Sequence, residues 1–155
     1  MNTNQDTPKF QTSTIAPMHT AEHILNQTMV RMFGCARSKD AHIERKKSKV
    51  SYTLPSCPSP EKVEEIVRRV NEVISQNLPV YDKMCALSEL PDGVDLEKLP
   101  ELSTDVIRLV YIGDYDICAC IGQHVENTSQ IGTFHLLGTN WDEETKKFRI
   151  RFKLV

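Results

Sequence analysis

The chain has 155 residues, of which 39% are hydrophobic and 26% charged, and its formal net charge is -2. This length suits one domain with its own core and is too short for two substantial ones. The charge excludes a generally basic nucleic-acid-binding protein, so any RNA contact has to come from local patches. No run of about 18 apolar residues is present and residues 1–17 are polar, so we expect neither a membrane-spanning helix nor a secretory signal.

The cysteines indicate the redox compartment. Their number is odd, they are scattered along the chain, and no export signal precedes them. A cytoplasmic setting with free thiols is therefore favoured over a disulfide framework. The five residues are Cys35, Cys57, Cys85, Cys118 and Cys120.

The N-terminal part predicts an arm followed by a helix. Residues 1–16 are rich in Thr, Asn and Gln, and we predict an extended arm there, with a single domain over residues 17–155. Pro17 suits the first turn of a helix. Apolar residues then recur at helical spacing as far as Phe33, and Gly34 is a natural stop, so we predict a helix over about 19–33.

A basic hairpin is predicted next. Val50, Tyr52 and Leu54 alternate as in a strand, and a polar turn separates them from an earlier short strand. The turn holds the densest positive charge in the chain, which is either a solvated hairpin tip or an RNA-binding patch. The basic residues are Arg45, Lys46, Lys47 and Lys49.

The remaining elements complete an α+β fold. Ser59 as N-cap and Pro60 in the first turn predict a second helix ending near Asn77. Three leucines between 96 and 102 could support a short helical segment, which Pro100 limits. Together, helices and antiparallel hairpins predict an antiparallel sheet packed with two main helices. Strands are predicted within 79–90 and over 106–112, 115–120, 133–140 and 147–154.

Two pairs of side chains have the spacing of metal ligands. His19 and His23 are four apart, so they project from one face of a helix. Cys120 and His124 are also four apart, at a strand end and in the next loop, where Gly122 permits a tight bend. The resulting His/His/Cys/His set suits zinc.

Each part of this set has an alternative. Thr20 follows the first histidine where zinc proteases carry a catalytic glutamate, so a protease is excluded. A lone histidine pair on a helix is more often exposed or hydrogen-bonded, and a lone cysteine is more often a core residue. Cys118 could share a face with Cys120, but only Cys120 has a histidine partner nearby.

The order and spacing of these residues resemble the second additional domain shared by alanyl- and threonyl-tRNA synthetases. They resemble free-standing alanyl-tRNA editing proteins of the AlaX type more closely still. The resemblance covers roughly residues 18–155. The matching stretches are His19–Leu25, Ile112–Asp116, Cys120–Val125, Asn127–Gly132 and Phe148–Ile150.

The resemblance implies a zinc-bearing domain that hydrolyses the ester bond of mischarged aminoacyl-tRNA in trans. Alanine tRNA carrying serine or glycine is the leading substrate, and tRNA rather than DNA or a membrane is the expected partner. The family's second motif usually reads Cys-Gly-Gly-Thr-His. Here Ile121 and Gln123 replace the first glycine and the threonine, and we expect both positions to bear on the choice of amino acid.

Two neighbours of the ligands are candidate catalytic residues. Glu22 could orient a ligand or act as a base, although a solvated helix carboxylate is the more frequent role. Gln123 could hydrogen-bond a substrate carbonyl or amine, with an exposed loop residue an equal alternative. The function classes left open are a zinc-dependent deacylase, a non-catalytic zinc-stabilised tRNA-binding or assembly module, and a small-ester or amide hydrolase.

Overall fold

The computed structural model describes residues 3–94 and 105–155, with side chains from residue 15 onward. The leucine segment expected between 96 and 102 lies outside the described residues. Within these residues two α-helices, α1 (Thr3–Phe33) and α2 (Pro60–Ser75), accompany two antiparallel sheets. In the described part of the chain the strands are β1 (Asp40–Ile43), β2 (Ser48–Thr53), β3 (Val80–Ala86), β4 (Val106–Ile112), β5 (Asp116–Ala119), β6 (Phe134–Asp142) and β7 (Lys147–Leu154).

The strands divide into a four-stranded sheet of order β1-β2-β7-β6 and a three-stranded sheet of order β3-β4-β5. The predicted basic hairpin is β1 and β2, which pair antiparallel from Asp40 opposite Ser51 to Ile43 opposite Ser48. The last predicted hairpin is β6 and β7. The predicted α+β class with two main helices is confirmed, and the sheet prediction is refined to two sheets.

Helix α1 begins well before the predicted start. The prediction of an extended arm is wrong for residues 3–16, because they belong to α1, and Pro17 lies inside the helix rather than in its first turn. Ala16 and Met18 are buried on either side of that proline, so packing continues the helix through a residue that usually starts or kinks one. The predicted division into 1–16 and 17–155 remains a prediction.

Helix α2 follows its sequence signals closely. The Ser59 side chain accepts a hydrogen bond from the backbone N–H of Lys62, and proline occupies the first turn. The helix ends at Ser75, two residues before the predicted end. Its apolar stripe is buried in the core through Ile66, Val70, Val73 and Ile74.

The larger of the two hydrophobic clusters in the described residues joins both helices to both sheets. The buried face of α1 contributes Met18, Ile24 and Leu25, and α1 also packs against α2, β1 and β5. One helix therefore contacts both sheets, and side chains in its second half face the end of β5. Of the helices described, none is long and apolar enough to cross a membrane.

Candidate metal centre

The two predicted ligand pairs meet between α1 and the loop after β5. His19 and His23 lie on successive turns of α1, and Cys120 and His124 follow β5. One ligand atom from each residue lies within 4.8 Å of those of the other three. The three imidazole centroids are 4.3 to 4.9 Å apart, and the Cys120 Sγ lies 3.5 Å from the His19 Nε2.

Hydrogen bonds on the outer side of two rings decide which nitrogen faces the cluster. The His19 Nδ1 lies 3.2 Å from the backbone carbonyl of Gln123, which can only accept, so Nδ1 carries the proton and Nε2 keeps its lone pair. Thr20 donates its hydroxyl proton to the Ala16 carbonyl and lies 2.9 Å from the His124 Nδ1. His124 therefore also donates through Nδ1, which leaves its Nε2 as a lone-pair ligand.

The third histidine, His23, lies beside a carboxylate. The His23 Nδ1 lies 3.7 Å from the buried carboxylate of Asp116. Asp116 also accepts hydrogen bonds of 2.7 and 3.2 Å from Arg37 and one of 2.9 Å from Gln27. Burial raises the pKa of Asp116, but His23 and Arg37 outweigh it and hold that pKa at about 2. Burial lowers the pKa of His23, but Asp116 and two cysteine thiols raise it well above its usual value.

The cluster also sets the protonation states of the Cys120 thiol and the His124 imidazole. Burial raises the pKa of Cys120, but hydrogen bonds to His124, His19 and His23 lower it to about 3. Burial, with the charges of His23 and His19, lowers the pKa of His124 to about 4. At neutral pH Cys120 is therefore a thiolate and His124 a neutral imidazole, which are the forms that bind metal ions.

These residues fit a zinc ion. The His124 Nε2 is buried and has no hydrogen-bond partner among the described residues, although it points at the other ligands. Ligands that share one zinc at about 2.0–2.3 Å lie within about 4 Å of one another. The observed spread of at most 4.8 Å needs only small side-chain rotations to match. One thiolate and three imidazoles are also the donor types that zinc prefers.

A cleft of about 280 Å³ opens beside the cluster. Glu22 lies in it, 4% exposed, with one oxygen 3.9 Å from the His19 Nε2 and the other accepting a bond of 3.0 Å from Asn26. The expectation of a solvated helix carboxylate is therefore wrong, because this face of α1 packs against the β5 end. Arg37 and Ile121 also line the cleft.

Gln123 lies elsewhere than expected for a residue that touches the substrate. Its exposed side chain lines a neighbouring cleft with Arg108 and Glu126 rather than the one beside the ligands. Only its backbone carbonyl reaches the cluster, through His19. A catalytic role for the Gln123 side chain remains a prediction.

A glycine is required at position 122 because the His19 ring approaches its backbone closely, and not because the chain bends there. Its φ is outside the left-handed region, but a Cβ atom there would overlap the His19 imidazole. Arg108 fixes the same loop, because it donates bonds of 2.9 and 2.8 Å to the carbonyls of Cys120 and Gly122. The loop is thus held against α1 from both sides.

We expect Gly122→Ala to displace the His19 ring and weaken zinc binding by about 10- to 100-fold, the range seen when ligand orientation is lost. Gly138→Ala is the matched control, because its added methyl group would meet only the flexible end of Arg151. Zinc affinity is measured by competition with a chromogenic chelator, and thermal unfolding checks the fold. Equal affinities for the two variants would contradict this role of Gly122.

The basic hairpin residues are exposed. Arg45, Lys46 and Lys47 lie in the turn, and Lys49 lies on the outer face of β2. The hairpin reaches α1 where the Ser48 hydroxyl lies 3.5 Å from the sulfur of Met18, the residue before His19. RNA binding by this hairpin remains a prediction.

Sequence reasoning gave no role to several residues that support the cluster. Thr20 was used only to exclude a protease, yet it orients His124. Asp116 had been noted only as the last residue of a stretch that matches the family. Arg37 lies 79 residues before Asp116, and no sequence pattern links the two. A threonine next to a histidine ligand on the same helix is a signal that could have been followed, whereas the Arg37 contact depends on the tertiary fold.

Comparison with known proteins gives one relationship. A family model described as the threonyl and alanyl tRNA synthetase second additional domain matches residues 107–151. This range includes Cys120 and His124, while His19 and His23 lie outside it. The structure supplies the link, since it brings the two histidines of α1 to the two ligands within the matched segment.

Alanine–tRNA ligases are among the relatives. Those of Leptospira biflexa and Caldicellulosiruptor saccharolyticus are each 29% identical to this chain, over 130 and 120 residues. That of Bacillus subtilis is 28% identical over 120 residues. The alignments cover 77 to 79% of this chain but only 14% of each ligase. Residues 107–151 of this chain thus match the threonyl and alanyl tRNA synthetase second additional domain.

Proposed function

We propose that this domain is a zinc-dependent deacylase that hydrolyses the ester bond of mischarged aminoacyl-tRNA. The leading substrate is alanine tRNA carrying serine or glycine, attacked in trans in the cytoplasm. The observation that carries the proposal is the cluster of three imidazoles and a thiolate opening on a cleft that Glu22 and Arg37 line. The relationship to alanine–tRNA ligases supports tRNA as the partner.

The metal ligands in this proposal are His19, His23, Cys120 and His124. A bound zinc ion would supply a water of lowered pKa or polarise the ester carbonyl. A catalytic zinc site keeps one position for water or substrate. His19 is the ligand that we expect to yield, because its side chain is 22% exposed, against 4% for His23, and the His124 ring is fixed by a buried hydroxyl.

Glu22 is the proposed proton acceptor. Its carboxylate is buried beside the cluster, and Asn26 fixes one of its oxygens while the other faces His19. A carboxylate held in this way can take a proton from an attacking water or hydrogen-bond the substrate amino group. Arg37 adds a positive charge to the same cleft, held in place by Asp116.

Deacylation assays test this function. We expect the zinc-loaded protein to hydrolyse seryl- and glycyl-tRNA for alanine faster than the spontaneous rate and to spare alanyl-tRNA. Glu22→Gln should retain zinc and lose about 10²- to 10⁴-fold in rate, the usual contribution of general acid–base catalysis. Gln123→Ala should also retain zinc, since an amide is a poor zinc ligand, and should change the rate or the amino-acid preference.

Two results would contradict the proposal. Wild-type protein that binds mischarged tRNA and leaves its ester intact would indicate a non-catalytic tRNA-binding module. Equal hydrolysis of small amino-acid esters and of aminoacyl-tRNA would indicate a small-ester hydrolase. A Glu22→Gln variant of full activity would exclude Glu22 as the base without excluding the deacylase.

A further inference from the structure

The outer face of the four-stranded sheet carries a basic stripe. Along β7, buried and exposed residues alternate, and Phe148, Ile150 and Phe152 face the core. The exposed positions between them are Lys147, Arg149 and Arg151. A chain of net charge -2 thus collects positive charge on one sheet face, on the side away from the helices.

Positive side chains also face each other across the strands. Lys49 on β2 is directly opposite Arg151 on β7. Like charges in directly opposite positions of a sheet are destabilising. Lys147 has Asp40 as an ion-pair partner, whereas Lys49 and Arg151 have no carboxylate within ion-pair distance among the described residues. Folding stability therefore does not explain the pair, which favours an anionic partner.

A β-bulge turns this face into a cleft. The register of β6 against β7 shifts between Leu136 and Gly138, and the extra residue, Leu137, is 40% exposed. The Arg151 guanidinium lies where a Cβ of Gly138 would be, so the glycine lets the arginine lie flat against β6. The bulge therefore places an apolar side chain and a guanidinium plane side by side.

The resulting cleft has a volume of about 430 Å³, within the range of small-ligand sites, about 300–1,000 Å³. Its lining combines cations with an apolar surface, and its one carboxylate, Glu44, lies 2.6 Å from the His42 Nε2. This is the size and chemistry of one nucleotide, with a phosphate among the cations and the sugar or base on the apolar part. The other lining residues include Lys47, Lys49, Leu137 and Arg151.

We propose that this face, with the bulge cleft as its centre, is the RNA-binding surface of the domain. Lys47, Lys49 and Arg151 contact backbone phosphates, and one nucleotide packs on Leu137 and the guanidinium plane. The identity of the RNA as tRNA rests on the proposed function. The surface thus includes part of the predicted hairpin patch and extends it onto the sheet.

Binding of uncharged tRNA, followed by fluorescence anisotropy at several salt concentrations, tests the surface. The double variant Lys49→Ala/Arg151→Ala should weaken binding by on the order of tenfold and reduce the salt slope by about 2. Lys62→Ala/Arg68→Ala is the matched control, since it removes two exposed cations from α2. It should leave the affinity and the slope close to wild type.

A second variant tests the apolar part of the cleft. Leu137→Glu places a carboxylate in the cleft and should weaken tRNA binding at unchanged thermal stability, whereas Leu137→Met should not. An unchanged slope in the double variant, or equal effects of the double variant and its control, would overturn the proposal. So would displacement of tRNA by millimolar inorganic phosphate or AMP, which would indicate a small-anion site.

Uncharged tRNA carries no aminoacyl ester, so its binding is measured independently of the proposed deacylase activity. A wild-type protein that binds tRNA through this face without hydrolysing any mischarged tRNA supports the surface and contradicts the deacylase. Full deacylase activity in the double variant, at tRNA concentrations below the wild-type Kd, overturns the surface and leaves the deacylase standing.

Discussion

Cys120→Ala is expected to abolish both stable zinc binding and deacylation of mischarged tRNA. The substitution removes the only thiolate of the four-residue cluster. Loss of residues that merely orient ligands costs about 10- to 100-fold in metal affinity, so loss of a ligand should exceed that range. Zinc content after dialysis, measured by elemental analysis, and the rate of ester hydrolysis are the two readouts.

Two other cysteines are matched controls. Cys57→Ala removes an exposed thiol remote from the cluster, and both zinc content and activity should stay at wild-type values. Cys118→Ala removes the thiol two positions before Cys120, which lines the cleft without joining the cluster, and about one zinc per chain should remain. If Cys120→Ala kept full deacylase activity, zinc would not be the catalyst. If Cys118→Ala lost the metal instead, the choice between the two thiols would be wrong.

The sequence predicted the ligands better than their surroundings. Four-residue spacing on a helix and across a strand end is local information. It was enough to choose four ligands, whose ligand atoms the structure brings within 4.8 Å of one another: His19, His23, Cys120 and His124. The alternation in β7 and the cap of α2 are equally local, and both elements were predicted within a few residues.

The features that the sequence missed depend on contacts distant along the chain. Glu22 looked solvated because helical periodicity places it beside His19, and only the packing of α1 against the end of β5 shows that it is buried. The start of α1 was missed because residues 3–16 lack a periodic apolar pattern and contain a proline. The bulge at Leu137 leaves no mark in the sequence beyond the glycine that follows it.

The largest effect on stability is expected from Asp116→Asn. The native carboxylate is 2% exposed and accepts bonds from Arg37 and Gln27. Removing its charge leaves the Arg37 guanidinium without its partner, and breaking a buried ion pair in this way costs about 3–5 kcal/mol. Asp114→Asn is the matched control, an exposed carboxylate two residues earlier, and should change the free energy of unfolding by less than about 0.5 kcal/mol.

Urea unfolding with and without zinc separates the two roles of Asp116. In the presence of a chelator, the loss reports the contacts that Asp116 makes with other side chains, of which the ion pair with Arg37 is the main one. With zinc, an additional loss is expected, because His23 is no longer backed by a carboxylate and metal affinity should fall by about 10- to 100-fold. A variant that lost stability equally in both conditions would show that Asp116 supports the fold but does not orient His23. A variant as stable as Asp114→Asn would show that the buried pair does not stabilise the fold.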